Sequence, residues 1–392
     1  MTGSRANLKV FEEEVGVKAS RSETPMVGPM LPASTYLAAV HDVGNREIDN
    51  AITQYNRDFP HGADWQGHLV SLTSYFGQYL DAEGSTYYQY ERCSRTDLLG
   101  AKMFDHLRAT HGIIQSLDGF QSNFNEFGGT ILKNLDWRNV GVAGGSMLAC
   151  LTEHNIGNLL KNSDIDLFIW GLDTVEAQKK VEHIKHTIAA NTRSFSAAYL
   201  VERSAGAVTF IPQNGNRGRK VQVILRQFSN PASILASFDL DPVCIYFDGN
   251  EVWLSLRAIR AFYTGYTTTM GAICSSFAAR IIKYATRGFG ILVRPEEGDP
   301  GADDLYVEME SILREQEASI TTQFFKLPWS GRDNFGAVFK TIKAAELGCW
   351  THAFSSLASL AALWNLAHAT GRIGQLMDEV GTASQIYGLY EG

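Results

Sequence analysis

The stretch from Asn139 to Gly171, NVGVAGGSMLACLTEHNIGNLLKNSDIDLFIWG, limits what this chain can become more than any other part of it. An apolar run, Val140-Gly141-Val142-Ala143, ends in Gly144-Gly145-Ser146. Eighteen residues beyond that serine, Asp164 and Asp166 interleave with a second apolar run that ends at Trp170. Short apolar runs bounded by turn residues read as buried strands. Successive side chains of a strand alternate between its faces, so Asp164 and Asp166 project together. Two carboxylates on one face repel, and each raises the other's pKa unless a cation lies between them. The natural cation is a hard divalent ion, Mg²⁺ or Mn²⁺, held through oxygens and accompanied by substrate phosphates. The Gly-Gly-Ser turn offers what a phosphate needs: backbone that allows close approach, and N–H groups at a helix start. The plain alternative is a tight strand–helix turn plus a solvent-facing aspartate pair on an edge strand.

Joined at this spacing, the two halves resemble the nucleotidyltransferase signature of the polymerase-beta superfamily, in which an apolar strand and Gly-Gly-Ser precede Asp-x-Asp on the next strand. The likeness is closest to the head domain of the poly(A) polymerase and tRNA CCA-adding group, and it spans Trp137 to Phe228, about a quarter of the chain. It implies a metal-binding, catalytic role for Asp164 and Asp166 and a nucleotide-binding role for Gly144, Gly145 and Ser146. It further implies an NTP donor and a hydroxyl-bearing acceptor such as RNA. The wider arrangement from Phe124 through Phe289 also resembles uncharacterised proteins, many with ankyrin repeats, from fungi and large DNA viruses.

In that signature a third acid sits on the strand closing the hairpin after Asp-x-Asp. The segments Gly206–Phe210 and Lys220–Arg226 resemble the hairpin, but the aligned position holds Gln222. An amide oxygen can coordinate a metal yet cannot act as a general base near neutral pH. Asp241, in Asp239-Leu240-Asp241-Pro242, is the candidate replacement, because the two aspartates repeat the alternate-residue spacing. The competing reading is a turn in which Asp241 caps its own backbone ahead of Pro242. Glu202 is a further candidate, set against simple exposure on an edge strand. Lys161, Arg219, Arg280 and Lys283 are candidate nucleotide-binding cations. Arg280, Lys283 and Arg287 share one helix face by their spacing, with Tyr284 and Phe289 available for base stacking. A solvated helix face is the rival reading.

The expected fold is α/β (α+β), a nucleotidyltransferase-like mixed sheet flanked by helical regions. Residues 1–34 read as an extended or mobile arm, 35–135 as helical, 136–262 as the α/β domain and 263–392 as helical again. Within the second region, the spacing of Leu98, Leu99, Met103, Phe104 and Leu107 predicts a helix. The alternation of Val175, Ala177, Val181, Ile184 and Ile188 with charged residues predicts another over 174–190. At 392 residues, 45 % of them hydrophobic, the chain can bury two or three cores. A formal net charge of −8 gives no overall attraction for nucleic acid, so a polynucleotide would need a local basic patch. Five scattered cysteines without a CxxC pair read as buried thiols. No Walker A pattern, Gly-x-Ser-x-Gly elbow or zinc-ligand spacing is present. The N-terminus lacks an apolar signal core, and the apolar stretch 353–369 is too short and polar to cross a bilayer, so a cytoplasmic location is expected. Two functions follow: Mg²⁺- or Mn²⁺-dependent nucleotidyl transfer, or a catalytically degenerate fold used for binding and assembly. In the second case, homo-oligomers would form through the helical flanks.

Overall fold

The computed structural model describes residues 32–41, 51–52, 64–79, 85–98, 101–152, 163–213, 218–268 and 277–293. Most of the expected arm, the charged loop 294–304 and the apolar stretch 353–369 lie outside the described residues. The strands are β1 (Val70–Ser71), β2 (Tyr87–Glu91), β3 (Ala101–Met103), β4 (His111–Gln115), β5 (Val140–Ala143), β6 (Ile165–Trp170) and β7 (Tyr199–Arg203). They continue with β8 (Ala207–Pro212), β9 (Val221–Phe228), β10 (Ile245–Phe247), β11 (Val252–Leu254), β12 (Tyr266–Thr268) and β13 (Gly290–Val293). The helices that matter for the site are α1 (Leu117–Phe127), α2 (Gly145–Thr152), α3 (Thr174–Ala190), α4 (Leu256–Thr264) and α5 (Phe277–Ala285).

The architecture is mixed α/β. Eight strands form one sheet in the order β1-β11-β10-β5-β6-β9-β8-β7. Neighbours are antiparallel except β6 and β9, which run parallel. Parallel neighbours require a long crossover, supplied here by α3 and the β7–β8 hairpin. Helix α3 starts where its sequence says it should. Asp173 caps the Glu176 amide while the Glu176 side chain returns to the Asp173 amide. The sheet's core is built from Val140, Val142, Ile165, Leu167, Val221 and Val223, all fully buried. On the β10 side, Phe247 packs against Phe120 and Phe124 of α1.

Two expectations are corrected. Among its described residues, the region 35–135 holds strands as well as helices: β1 joins the large sheet, and β2 pairs with β4 as a separate two-stranded sheet. The run Tyr87-Tyr88-Gln89-Tyr90 is aromatic-rich and alternates in exposure, which suits a strand better than a helix. The helix predicted over 98–107 does not form. Phe104 has φ of +55°, a left-handed conformation that ends any right-handed helix, and it separates β3 from a 3-10 turn at Asp105–Leu107. The second correction lies after α4, where β12 and β13 pair in parallel and β13 pairs with β3.

That small sheet leads to a fastening point just beyond α5. The Gly288 carbonyl accepts from the Ala109 amide at 3.1 Å and from Arg92 Nη1 at 2.5 Å. The same guanidinium stacks over the Phe289 ring, 4.6 Å from its centroid. Arg108 Nε donates to the Thr264 carbonyl at 2.7 Å and so holds the end of α4 to the same β2–β4 region.

Candidate functional site

β5 delivers the chain to the site. All four of its residues are buried, and Gly141 must stay small because the Tyr246 ring lies against it. At Gly144 the backbone turns with φ of +93°, where L side chains are strained, and α2 begins at the next residue. Gly145 is glycine for a different reason. A Cβ there would stand 2.5 Å from Tyr284 Oη and 3.7 Å from Arg287 Nη1. Helix α2 is buried from Ser146 to Leu151.

Two polar atoms at this turn lack partners among the described residues. Ser146 is 2 % exposed and its hydroxyl makes no hydrogen bond, and Arg287 Nη1 is buried and equally unmatched. A buried polar atom left unsatisfied costs about 1–3 kcal/mol, and a polar group placed at this turn would satisfy both. Arg287 is held from its other end, where Nη2 donates to Ser163 Oγ at 3.4 Å, and its guanidinium lies over the Tyr284 ring.

The antiparallel ladder that sets Val142 opposite Leu167 brings the start of β6 beside this turn. Asp164 and Asp166 are half-buried, while Ile165 and Leu167 between and beyond them are fully buried on the opposite face. Lys220 Nζ reaches Asp164 Oδ2 at 2.6 Å. Desolvation, then the charge of Asp164, pushes the Asp166 carboxyl up to about 7, with Lys220 and Lys283 pulling the other way. Lys283 of α5 feels both aspartates. Crowding by the protein and then Arg287 lower its amine, against the opposing pull of Asp164 and Asp166.

The parallel register puts Gln222 directly beside Asp166 and, one strand further, Thr209 beside Gln222. Gln222 Nε2 lies 3.4 Å from Thr209 Oγ1. Glu202 continues this row on β7, opposite Thr209. It stands three strand spacings from Asp166, roughly 14 Å, which is too far to share an ion. Among the described residues no third His, Cys, Asp or Glu completes a metal-binding cluster. Among the described side chains of this row, the two carboxylates and the Gln222 amide are the groups that can offer oxygens to a hard cation.

The other sequence candidates have different surroundings. Asp241 is 3 % exposed; its Oδ1 accepts from Arg257 Nε at 2.7 Å and its Oδ2 from the amide and hydroxyl of Thr268, each at 2.7 Å. In place of the expected catalytic role, it ties α4 to β12. Arg280 Nη2 donates to Asp239 Oδ2 at 2.5 Å, so its charge serves that buried carboxylate instead of a ligand. Arg219 Nε donates to the Phe127 carbonyl at 2.7 Å and stacks over the Phe127 ring, which secures the end of α1. Lys161 lies outside the described residues. Of the three described cations, Lys283 is the one whose charge acts on the aspartates. Tyr284 and Arg287 stand where the shared helix face puts them, beside Lys283, whereas Lys220 carried no signal beyond its place at the head of a strand. The four-residue step from Lys283 to Arg287 was the available signal that both reach one place.

Residues 118–264 match the model of the Gabija anti-defense 2 (Gad2) family. That interval contains the glycine turn, Asp164, Asp166 and Gln222, and stops short of α5. An uncharacterised protein of Acanthamoeba polyphaga mimivirus is 25 % identical over 212 residues, which are 46 % of this chain and 41 % of the relative. The match thus spans about two fifths of that relative's length. No helix among the described residues is long and apolar enough to cross a membrane.

Proposed function

We propose that this chain carries a nucleotidyltransferase-like core that binds a nucleoside triphosphate with a divalent cation and transfers the nucleotidyl group to a hydroxyl. The observation that carries this reading is the pairing of two unmatched buried donors, Ser146 Oγ and Arg287 Nη1, with two half-buried carboxylates at the same end of the sheet. The donors suit the oxygens of a polyphosphate, and the amides opening α2 add to them. Asp164 and Asp166 present oxygens to one hard cation, and Asp166 gains the compensating charge that its raised pKa calls for. A bound Mg²⁺ or Mn²⁺ supplies charge shielding at the phosphate and a lowered pKa for the attacking hydroxyl. Lys283 faces the same carboxylates and is placed to steady the phosphates. The acceptor is RNA or another hydroxyl-bearing molecule.

Gln222 favours a second reading, in which the site binds nucleotide without turning it over, because the position beside Asp166 holds no base. The Gad2 likeness supports a setting for either activity, namely counteracting the Gabija defence that the family's description names. The test is incubation with each labelled NTP and Mg²⁺ or Mn²⁺, followed by mass analysis of whatever gains a nucleotide. Wild type should label an acceptor and Asp164→Ala should not. Equal labelling by both removes the aspartate pair from the chemistry. Metal-dependent binding without transfer selects the second reading.

A further inference from the structure

We propose that this cleft takes one divalent cation and no second, and that Gln222 and Lys220 are the residues that set that number. The inference rests on the nucleotide-binding reading above and refines it.

Two-ion sites hold their cations about 3.5–4 Å apart, joined by shared carboxylate oxygens. The repulsion between two dications is fourfold that between unit charges at the same distance, so anionic oxygens must lie on both sides of the pair. Here one side is missing. The space beyond Asp166 along the sheet is bounded by Gln222 and then Thr209, both neutral, and the Gln222 amide leans toward Thr209. An ion placed there would find Asp166 as its only charged neighbour on the sheet. The other described acids considered for this role are engaged elsewhere or too far away. Asp239 is engaged by Arg280, both oxygens of Asp241 are taken by Arg257 and Thr268, and Glu202 sits at the far edge of the row.

Lys220 acts on the same flank, two residues before Gln222 and beside Asp164. Its ammonium lies 2.6 Å from Asp164 Oδ2, so one oxygen of the pair already has a cationic partner built into the chain. A divalent ion entering with a polyphosphate must share Asp164 with that ammonium. One ion can do so through Asp166 and the remaining Asp164 oxygen. Two would have to divide the three oxygens that Lys220 leaves.

The experiment counts ions directly. The full chain is mixed with a non-transferable α,β-methylene triphosphate and titrated with Mn²⁺, and bound ions are read by electron paramagnetic resonance and calorimetry. Wild type is expected to hold one Mn²⁺ per chain. Gln222→Asp should hold two, with the line broadening that coupled Mn²⁺ neighbours produce. Gln222→Glu provides a second variant should the first fold poorly. Lys220→Gln should keep one ion and bind it at least tenfold more tightly. Two ions in wild type, or one in a folded Gln222→Asp, would overturn the proposal while leaving nucleotide binding intact. An unchanged Mn²⁺ affinity in Lys220→Gln would overturn the assignment of Lys220. No Mn²⁺ in any form, even with the triphosphate analogue, would bring down this inference and the nucleotide-binding reading together.

Discussion

Replacing Gly145 by alanine should expose how closely α5 is fitted to the glycine turn. The new Cβ would meet Tyr284 Oη at 2.5 Å, about an ångström inside ordinary van der Waals contact. Tyr284 is buried and its ring carries the Arg287 guanidinium, so it cannot swing away freely. Overpacking of this size costs about 1–3 kcal/mol. Removing the hydroxyl with Tyr284→Phe frees that space and should itself cost at most about 1 kcal/mol. The double variant should therefore recover at least about 1 kcal/mol relative to the sum of the single changes, a coupling that urea denaturation of all four proteins measures. Gly144→Ala is the internal control. Its would-be Cβ meets nothing within 4 Å, and its cost comes from φ of +93°, so Tyr284→Phe should not rescue it. A neutral Gly145→Ala, or equal coupling of Tyr284→Phe to both glycines, would refute the packing argument.

Asp241→Ala should destabilise the fold by about 3–5 kcal/mol, because it strands the Arg257 charge in a buried site. A normal denaturation midpoint with lost activity would instead return Asp241 to the chemistry. The pH dependence of stability should carry the signature of Asp166. Its carboxyl sits at about 7 when folded against 3.8 ordinarily, so the folded state retains a proton that the unfolded chain releases. That contribution is fully present below about pH 4 and is lost as pH rises through about 7. Asp166→Asn should flatten this fall, and parallel profiles for the two proteins would contradict the shift.

The α/β segment was legible because its local signals agree with one another. β6 and α3 fall where apolar patterning puts them. The flanks were harder. The 98–107 segment has helical spacing, yet one left-handed residue, Phe104, overrides it, and no composition rule announces such a residue. β12 and β13 are short strands whose ladder partners are one another and β3, the last far away in sequence. The same holds for the site. Gly144, Gly145, Asp164 and Asp166 lie close enough along the chain for spacing to carry meaning. Whether a given arginine meets a ligand depended on long-range partners, Asp239 for Arg280 and the Phe127 carbonyl for Arg219, which spacing does not reveal.

The clasp at Gly288 gives the β2–β4 region a say in what happens at the opposite end of the chain. Arg92 reaches across 196 positions to grip that carbonyl, one residue past Arg287. Substitution of Arg92 or Ala109 would therefore shift the arm that carries Lys283 and Arg287, although neither residue lies on it. A protein trimmed to the interval 118–264 would keep the paired acids and forfeit both the arm and its mooring. On the proposed reading, changes in the β2–β4 region can move Arg287 while the acidic centre stays unchanged.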